Sequence, residues 1–163
     1  MKTLLVMRHA KSSWSNSYLS DHERPLNDRG KRDAPAMGVL LKREACVPQA
    51  IISSTAKRAM ATAEQVALSC GFEDDIEYDS NFYLAAPETY IVKCRSLHDD
   101  IDIAMVVGHN PGMEALVEDL TDKSKIFTTA NIAQIQLPIQ SWSDLNSDTA
   151  GELLNLWRPK EIY

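Results

Sequence analysis

The sequence predicts an α/β fold with a mainly parallel central sheet and helices on both faces. Short apolar runs of strand length alternate along the chain with segments in which apolar residues recur at helical spacing. Polar or small residues follow the early runs, as they do where buried strands end in loops. Such alternation is typical of sheets whose parallel strands are joined by helices. No repeat or low-complexity tract interrupts it, so we expect residues 1–163 to form a single domain.

Five segments predict the strands. Residues 4–7, 50–54 and 103–107 are short apolar runs that end in polar or small residues. Residues 132–139 follow an alternating pattern, in which Ile135 and Leu137 are separated by a polar residue, and residues 153–157 precede Pro159. The polar stretch 141–151 is predicted to be a loop between these last two strands.

Four segments predict helices. Apolar residues recur at helical spacing in 34–41, 59–70 and 113–120, and Pro87 fits the first turn of a helix over 87–97. Ser53, Ser54 and Thr55 are candidate caps for a helix over 56–70, and Gly71 is placed to end it. The apolar residues that recur at helical spacing are predicted to pack in the core.

Composition narrows the class of protein. The chain has 163 residues, of which 44% are hydrophobic, as is ordinary for a globular domain. Its formal net charge of −6 disfavours nucleic-acid or anionic-membrane binding as its main activity. The first apolar run ends at Arg8 and is too short for a signal-peptide core, and no segment is long enough to span a membrane. Three widely spaced cysteines, Cys46, Cys70 and Cys94, argue for buried thiols in a reducing compartment. We therefore expect a cytoplasmic protein.

Candidate functional residues follow three of the predicted strands. Arg8 and His9 come directly after the first run, and His109 follows the run at 103–107. Ligands bind at the carboxyl ends of strands in open α/β sheets, so we expect these side chains at a pocket mouth. Arg58 falls in the first turn of a predicted helix, where a cation opposes the helix dipole unless an anion lies nearby. Guanidinium groups match phosphate, and a neutral imidazole is a nucleophile, so the set indicates phosphoryl chemistry.

Other candidates are interpreted as surface or rim residues. His22 lies in a charged polar stretch and His98 lies beside two aspartates, so both are expected to be solvated. Trp14, Phe82 and Tyr83 are candidates for the pocket mouth, although each of them can equally pack against the sheet.

Four motifs, in this order, resemble those of the histidine phosphatase superfamily, and most closely its short SixA-type branch of phosphohistidine phosphatases. The motifs are Arg8-His9, Arg24-Pro25-Leu26 with Arg29-Gly30, Ser53-Ser54 with Arg58-Ala59, and Gly108-His109-Asn110-Pro111-Gly112. The resemblance extends from Met1 to about Thr129 and implies a phosphoglycerate-mutase-like fold without a large cap over the pocket. It also implies that His9 is the nucleophile and that Arg8, Arg58 and His109 complete the phosphate pocket.

The expected chemistry needs no metal or cofactor. Arg8, Arg58 and a protonated His109 neutralise the equatorial oxygens, while His9 attacks phosphorus and forms a phosphohistidine that water then hydrolyses. The free ring nitrogen of His9 requires that the other be hydrogen-bonded to a backbone carbonyl. An alcohol leaving group also requires a general acid, for which Asp21, Asp79 and Glu88 are the candidates. Asp21 can alternatively pair with Arg24, and Glu88 can compensate a helix dipole.

Three functions remain open at this point. The first is removal of phosphate from phosphohistidine on a protein, because imidazole leaves readily once protonated. The second is hydrolysis of a small phosphate monoester by the same chemistry. The third, prompted by the lack of a clear acid, is a non-catalytic module that binds a phosphorylated ligand. The expected partner is thus a phosphorylated protein or a small phosphate ester, and the oligomeric state is left open.

Overall fold

Within residues 1–162, which the computed structural model describes, six strands form one sheet. They are β1 (Lys2–Arg8), β2 (Ala50–Ser54), β3 (Glu77–Asp79), β4 (Ile103–Gly108), β5 (Ile132–Leu137) and β6 (Glu152–Trp157). Their spatial order is β3-β2-β4-β1-β5-β6. The four strands from β3 to β1 pair in parallel, whereas β5 and β6 are antiparallel additions at one side. The predicted α/β class with a mainly parallel sheet is confirmed.

Four α-helices lie against this sheet in the described part of the chain. They are α1 (Asp28–Arg43), α2 (Lys57–Cys70), α3 (Pro87–Cys94) and α4 (Gly112–Thr121). Asn27 caps α1 by accepting a hydrogen bond from the backbone N–H of Gly30. Gly71 ends α2 in the left-handed conformation with φ of 84°, as the sequence predicts. No helix in residues 1–162 is both long and apolar enough to cross a bilayer.

Two apolar cores fill the two faces of the sheet, because side chains alternate along each strand. Leu4 and Val6 of β1 face the core that includes α3 and α4. Leu5 and Met7 face the opposite core, which includes α1 and α2. The three cysteines are free and buried, and each lies in one of these cores.

Several predicted boundaries are wrong for identifiable reasons. Helix α2 begins at Lys57 with Ala56 as its N-cap and has no side-chain cap, because Ser54 instead accepts a hydrogen bond from the Ala56 N–H ahead of the helix. Helix α3 ends at Cys94, and tighter turns with bonds from residue 96 to 93 and from 97 to 94 replace its predicted last residues. Strand β5 ends at Leu137, two residues before the predicted end, and the three-residue β3 was not predicted.

Strand register places the motifs beside one another. Strands β1 and β4 are neighbours in parallel, with Arg8 opposite Gly108. The residues that follow these two strands are therefore His9 and His109, and the His9 N–H donates to the Gly108 carbonyl at 3.1 Å. Strand β2 lies on the other side of β4 and delivers Ser54 and the start of α2 to the same edge. Three parallel strands thus end at one edge of the sheet, where the candidate residues meet.

Candidate active site

His9 is held through Nδ1 by the backbone, and its Nε2 faces Arg58. It is 6% exposed, and its Nδ1 lies 2.8 Å from the carbonyl oxygen of Ala10. Because a carbonyl can only accept, Nδ1 carries the proton and Nε2 retains its lone pair. Burial, with smaller contributions from His109, Arg58 and Arg8, lowers the pKa of His9 to about 3. At neutral pH the side chain is therefore uncharged, and the lone pair on Nε2 accepts the Nε–H of Arg58 at 3.4 Å.

Arg58 lies between the two imidazoles. It is 3% exposed in the first turn of α2, where a cation is unfavourable without an anion nearby. Its Nε lies 3.4 Å from Nε2 of His9, and its Nη2 lies 3.5 Å from Nδ1 of His109. Thr62, one turn further along α2, donates to the Arg58 carbonyl and accepts from the Ala10 N–H at 2.9 Å. This threonine fixes the helix start against the loop that follows β1.

His109 is buried and neutral in this state. Its Nε2 lies 2.8 Å from Oγ of Ser54, and its ring centroid is 5.1 Å from that of His9. Arg58 can only donate to Nδ1, so we assign the ring proton to Nε2, which donates to Ser54. Burial and the positive charge of Arg58 lower the pKa of His109 to about 4. His109 is therefore neutral at neutral pH in this structure, and the protonated form expected with a bound phosphoryl group stays a prediction.

Two buried arginine donors at this site have no hydrogen-bond partner in the described part of the protein. Arg8 donates through Nη1 to the Phe127 carbonyl at 3.0 Å, yet its buried Nε has no hydrogen-bond partner. The buried Nη1 of Arg24 also lacks a partner, and so does Oδ1 of Asn110, which is an acceptor. All three residues line a cavity of about 200 Å³ that Arg58, His9 and His109 also line. Buried polar atoms without partners are rare, so this cavity is suited to a ligand with several acceptor oxygens.

The structure brings the four principal candidates together. His9, Arg8, Arg58 and His109 all line the cavity, along with Lys11, Ser12, Trp14, Arg24, Leu84, Asn110 and Thr129. No carboxylate is among these described residues, whereas four of them are arginine or lysine. The cavity is therefore a local cationic site in a chain whose net charge is −6.

Asp21 lies at this site but is ionised. Its Oδ2 accepts from Nη2 of Arg58 at 3.0 Å and from the Tyr83 hydroxyl, and Oδ1 pairs with Nε of Arg24 at 3.1 Å. The hydrogen bond from Tyr83 and the ion pair with Arg58 lower the pKa of Asp21 to about 2. A carboxylate in this state has no proton to give at neutral pH. Its contacts instead hold Arg58 in place, and the predicted pairing with Arg24 is confirmed.

The other two acid candidates lie elsewhere. Asp79 and Glu88 line a separate cavity of about 640 Å³, which shares no residue with the cationic one. Asp79 also accepts from the Asn81 N–H, as the cap of a short turn after β3. Neither of them lines the cavity that contains His9 and His109.

Rim residues depart in part from the sequence expectations. Tyr83 stacks edge-on against His109, with ring centroids 5.4 Å apart, and Trp14 lies 3.4 Å from the guanidinium carbon of Arg24. Phe82 does not line the mouth, because it is fully buried against Tyr90. His22 is half-buried rather than solvated, since Nε2 contacts Oγ1 of Thr55 at 3.0 Å and its ring meets Tyr83. Ser54, Thr62 and Arg24 were given no site role from sequence.

Two of the glycines in the motifs have steric explanations. A Cβ on Gly30 would lie 2.2 Å from the Lys11 carbonyl oxygen, because α1 begins against the loop that follows β1. A Cβ on Gly108 would lie 2.2 Å from the Tyr90 hydroxyl. Both positions thus keep the backbone close enough for the site to assemble. No cluster of His, Cys, Asp and Glu in the described residues is suited to hold a metal ion.

The two buried histidines predict a specific loss of stability in acid. Their folded pKa values, about 3 for His9 and about 4 for His109, lie below the ordinary value of 6.5. The unfolded chain therefore binds up to about two more protons at these positions as pH falls below 6.5, so unfolding becomes easier towards pH 4. Urea unfolding in phosphate-free buffer should show this slope, and His9→Gln should remove about half of it. An unchanged slope in His9→Gln, or an equal change in the exposed control His98→Gln, would contradict the assignment.

Comparison with known proteins identifies the family of this chain. Residues 4–82 match the model of the histidine phosphatase superfamily, branch 1. An uncharacterized protein of Mycobacterium tuberculosis is 33% identical over 155 residues, which cover 88% of this chain and 94% of that protein. The chain belongs to the histidine phosphatase superfamily. The motif resemblance found in the sequence is thereby confirmed.

Solved structures agree with this membership of the histidine phosphatase superfamily. A proposed phosphohistidine phosphatase SixA from Agrobacterium tumefaciens superposes with a TM-score of 0.82 at 26% identity, covering 97% of this chain and 98% of that one. The protein histidine phosphatase SixA complexed with tungstate gives a TM-score of 0.85 at 21% identity, covering 99% of both chains, and shows the same fold. The protein is accordingly a phosphatase with a phosphoglycerate-mutase-like fold, and the SixA-type matches confirm the predicted branch.

Proposed function

We propose that this phosphatase removes the phosphoryl group from phosphohistidine on a protein, through a covalent phosphohistidine on His9. The reaction has two displacements at phosphorus. In the first, the lone pair on Nε2 of His9 forms a P–N bond while the P–N bond to the substrate imidazole breaks. In the second, a water oxygen attacks phosphorus, the bond to His9 breaks, and orthophosphate leaves. The protons lost by water balance those taken up by the departing imidazole and by the phosphate.

Positioned donors supply the electrostatic part of the mechanism. Nε of Arg8 and Nη1 of Arg24 are buried and have no hydrogen-bond partner within residues 1–162 of the protein, and Arg58 contacts both imidazoles. Donors already in place stabilise the charge on the equatorial oxygens without reorganisation during the reaction. The negative charge of a bound phosphoryl group also opposes the two effects that lower the pKa of His109. His109 then gains a proton when the anion binds and adds a further charged donor.

The substrate class is inferred from the state of Asp21. Of the three candidate acids, two line another cavity and the third is held ionised by Tyr83 and Arg58. An alkoxide leaving group requires a proton donor, because its conjugate acid is very weak. Imidazole requires much less help, because it leaves as a neutral ring once protonated and its ordinary pKa of about 6.5 allows solvent to protonate it. This observation favours a phosphoramidate substrate over a phosphate monoester of an alcohol.

The open site is consistent with a protein substrate. Within residues 1–162, no large helical insertion lies between the motifs to cover the cavity of about 200 Å³. The relatives that carry SixA names are described as acting on phosphohistidine, and one of them binds tungstate, a tetrahedral oxyanion like phosphate. Both descriptions support the proposal.

A matched pair of phosphopeptides tests the substrate class. We expect kcat/KM for a peptide carrying phosphohistidine to exceed that for the same peptide carrying phosphoserine by about 100-fold or more, the contribution that a missing general acid removes from the ester. Release of orthophosphate from each peptide measures the ratio. An activated aryl phosphate, whose leaving group needs no acid, is the control and should be hydrolysed. Equal or faster turnover of phosphoserine would overturn the assignment and favour the monoester alternative.

A further inference from the structure

A second cationic groove adjoins the active-site cavity. It encloses about 440 Å³ and is lined by Arg8, Lys11, Arg29, Thr128, Thr129 and Lys160. Four of these six side chains are cations and the other two are hydroxyls. No acidic side chain is among these described lining residues, although acidic residues outnumber Lys and Arg by 23 to 17 in the chain. The groove thus differs in charge from the protein as a whole.

The groove and the active-site cavity are continuous. Arg8, Lys11 and Thr129 line both of them, so a ligand in one lies against residues of the other. Arg8 spans the boundary, with Nη1 bound to the Phe127 carbonyl and its buried Nε unpaired. A phosphoryl group at His9 therefore has neighbouring space that is lined by cationic and hydroxyl side chains.

The far side of the groove is built by the chain after β6. Residues 159–161 form a short 3-10 turn that packs on α1, and Pro159 is buried there. Arg158 anchors this turn by donating to the Ile126 carbonyl at 3.0 Å and by pairing with Glu161 at 3.4 Å. Glu161 is thereby directed to Arg158, while Lys160 is exposed and lines the groove. This arrangement brings Lys160 to the same groove as Arg29 of α1, although the two are far apart in sequence.

We propose that this groove binds a second anionic group of the substrate, next to the phosphoryl group that is removed. The inference rests on the proposed function and narrows it to substrates that carry a carboxylate or phosphate beside the scissile group. Lys11 and Lys160 supply the charge, together with the part of the Arg29 guanidinium that does not face Asp33, with which its Nε pairs at 3.4 Å. Thr129 adds a hydroxyl at the junction. Acidic side chains flanking a phosphohistidine have this chemistry, and so does a small molecule with linked phosphates.

Two arms test the groove and separate these sources. The first compares kcat/KM for a phosphohistidine peptide flanked by two glutamates with that for its glutamine counterpart. The second compares tripolyphosphate with orthophosphate as inhibitors of aryl phosphate hydrolysis, and so does not depend on turnover of phosphohistidine. We expect the glutamate peptide to have a kcat/KM about fivefold or more above that of the glutamine peptide, and tripolyphosphate to inhibit about fivefold or more strongly than orthophosphate, which is the scale of a few exposed charge pairs. Both ratios should fall as the salt concentration rises.

Charge reversal at Lys160 decides the proposal. Lys160→Glu should bring the ratio within each arm close to one, and because each ratio is internal, a general loss of activity cancels. Lys42→Glu is the matched control and should keep the ratio, since Lys42 lies exposed in the last turn of α1, about 20 Å along the helix from Arg29. A preference in the peptide arm indicates acidic protein segments, and one confined to the tripolyphosphate arm indicates small polyanions. Wild-type ratios of one in both arms, or ratios that Lys160→Glu leaves unchanged, would overturn the proposal that the groove binds a second anionic group. Absence of turnover for both peptides with an intact inhibitor ratio would instead refute the proposed function alone.

Discussion

Replacing His9 with alanine should lower kcat by about 10⁴-fold or more, the effect of deleting a nucleophile that forms a covalent intermediate. The Nε2 lone pair that faces the cavity is lost, and water must then attack the substrate directly. The remaining donors still bind the phosphoryl group, so KM should change much less than kcat. Single-turnover release of phosphate from a phosphohistidine peptide measures the effect.

The control for this variant is another histidine. His98 is exposed and pairs only locally with Asp100, so His98→Ala should retain wild-type activity. A urea unfolding curve for each variant separates lost chemistry from lost structure. Activity of His9→Ala within tenfold of wild type, with the fold intact, would contradict a nucleophilic role for His9.

Replacing Arg58 with alanine should lower kcat/KM by about 10³-fold, at the upper end of the effect of removing one positioned donor from an oxyanion site. The loss is large because the guanidinium contacts both imidazoles. It is held in place by donating two hydrogen bonds to Asp21, at 2.6 Å to the carbonyl oxygen and at 3.0 Å to the carboxylate. Arg58→Lys should restore only a small part, since an ammonium cannot contact both rings and the phosphoryl oxygens at once.

The adjacent residue provides the control for Arg58. Lys57 precedes it in the same helical turn but is exposed, so Lys57→Ala should leave kcat/KM unchanged within about twofold. Equal effects from the two substitutions would show that the helix start needs any cation rather than this guanidinium.

Much of this arrangement was predictable from the sequence, because it depends on short-range patterns. Apolar runs of strand length located β1, β2 and β4, and the rule that parallel strands end at one edge brought Arg8, His9 and His109 together. The unfavourable position of Arg58 in a first helical turn identified it as a residue that lies near an anion. These inferences needed only local sequence and a general property of parallel sheets.

Other parts depended on contacts between distant segments. Asp21 is held ionised by Tyr83 and Arg58, which are 62 and 37 residues away, so its sequence neighbours could not reveal its charge state. The neutral state of His109 likewise follows from burial in the folded site. Lys160 joins the groove only because the turn after β6 packs on α1. Burial and long-range pairing, rather than local pattern, set these properties.

The assembled site leads to a single chemical expectation, namely that phosphate is carried on Nε2 of His9 during turnover. The enzyme should be mixed with a phosphohistidine peptide, quenched in base within one turnover, digested, and examined by mass spectrometry and phosphorus NMR. The phosphoryl group should be found on the peptide that contains His9, bonded to Nε2, stable in base and lost in acid. Phosphate on a different residue, or rapid product release with no phosphorylated enzyme at any time, would contradict the account.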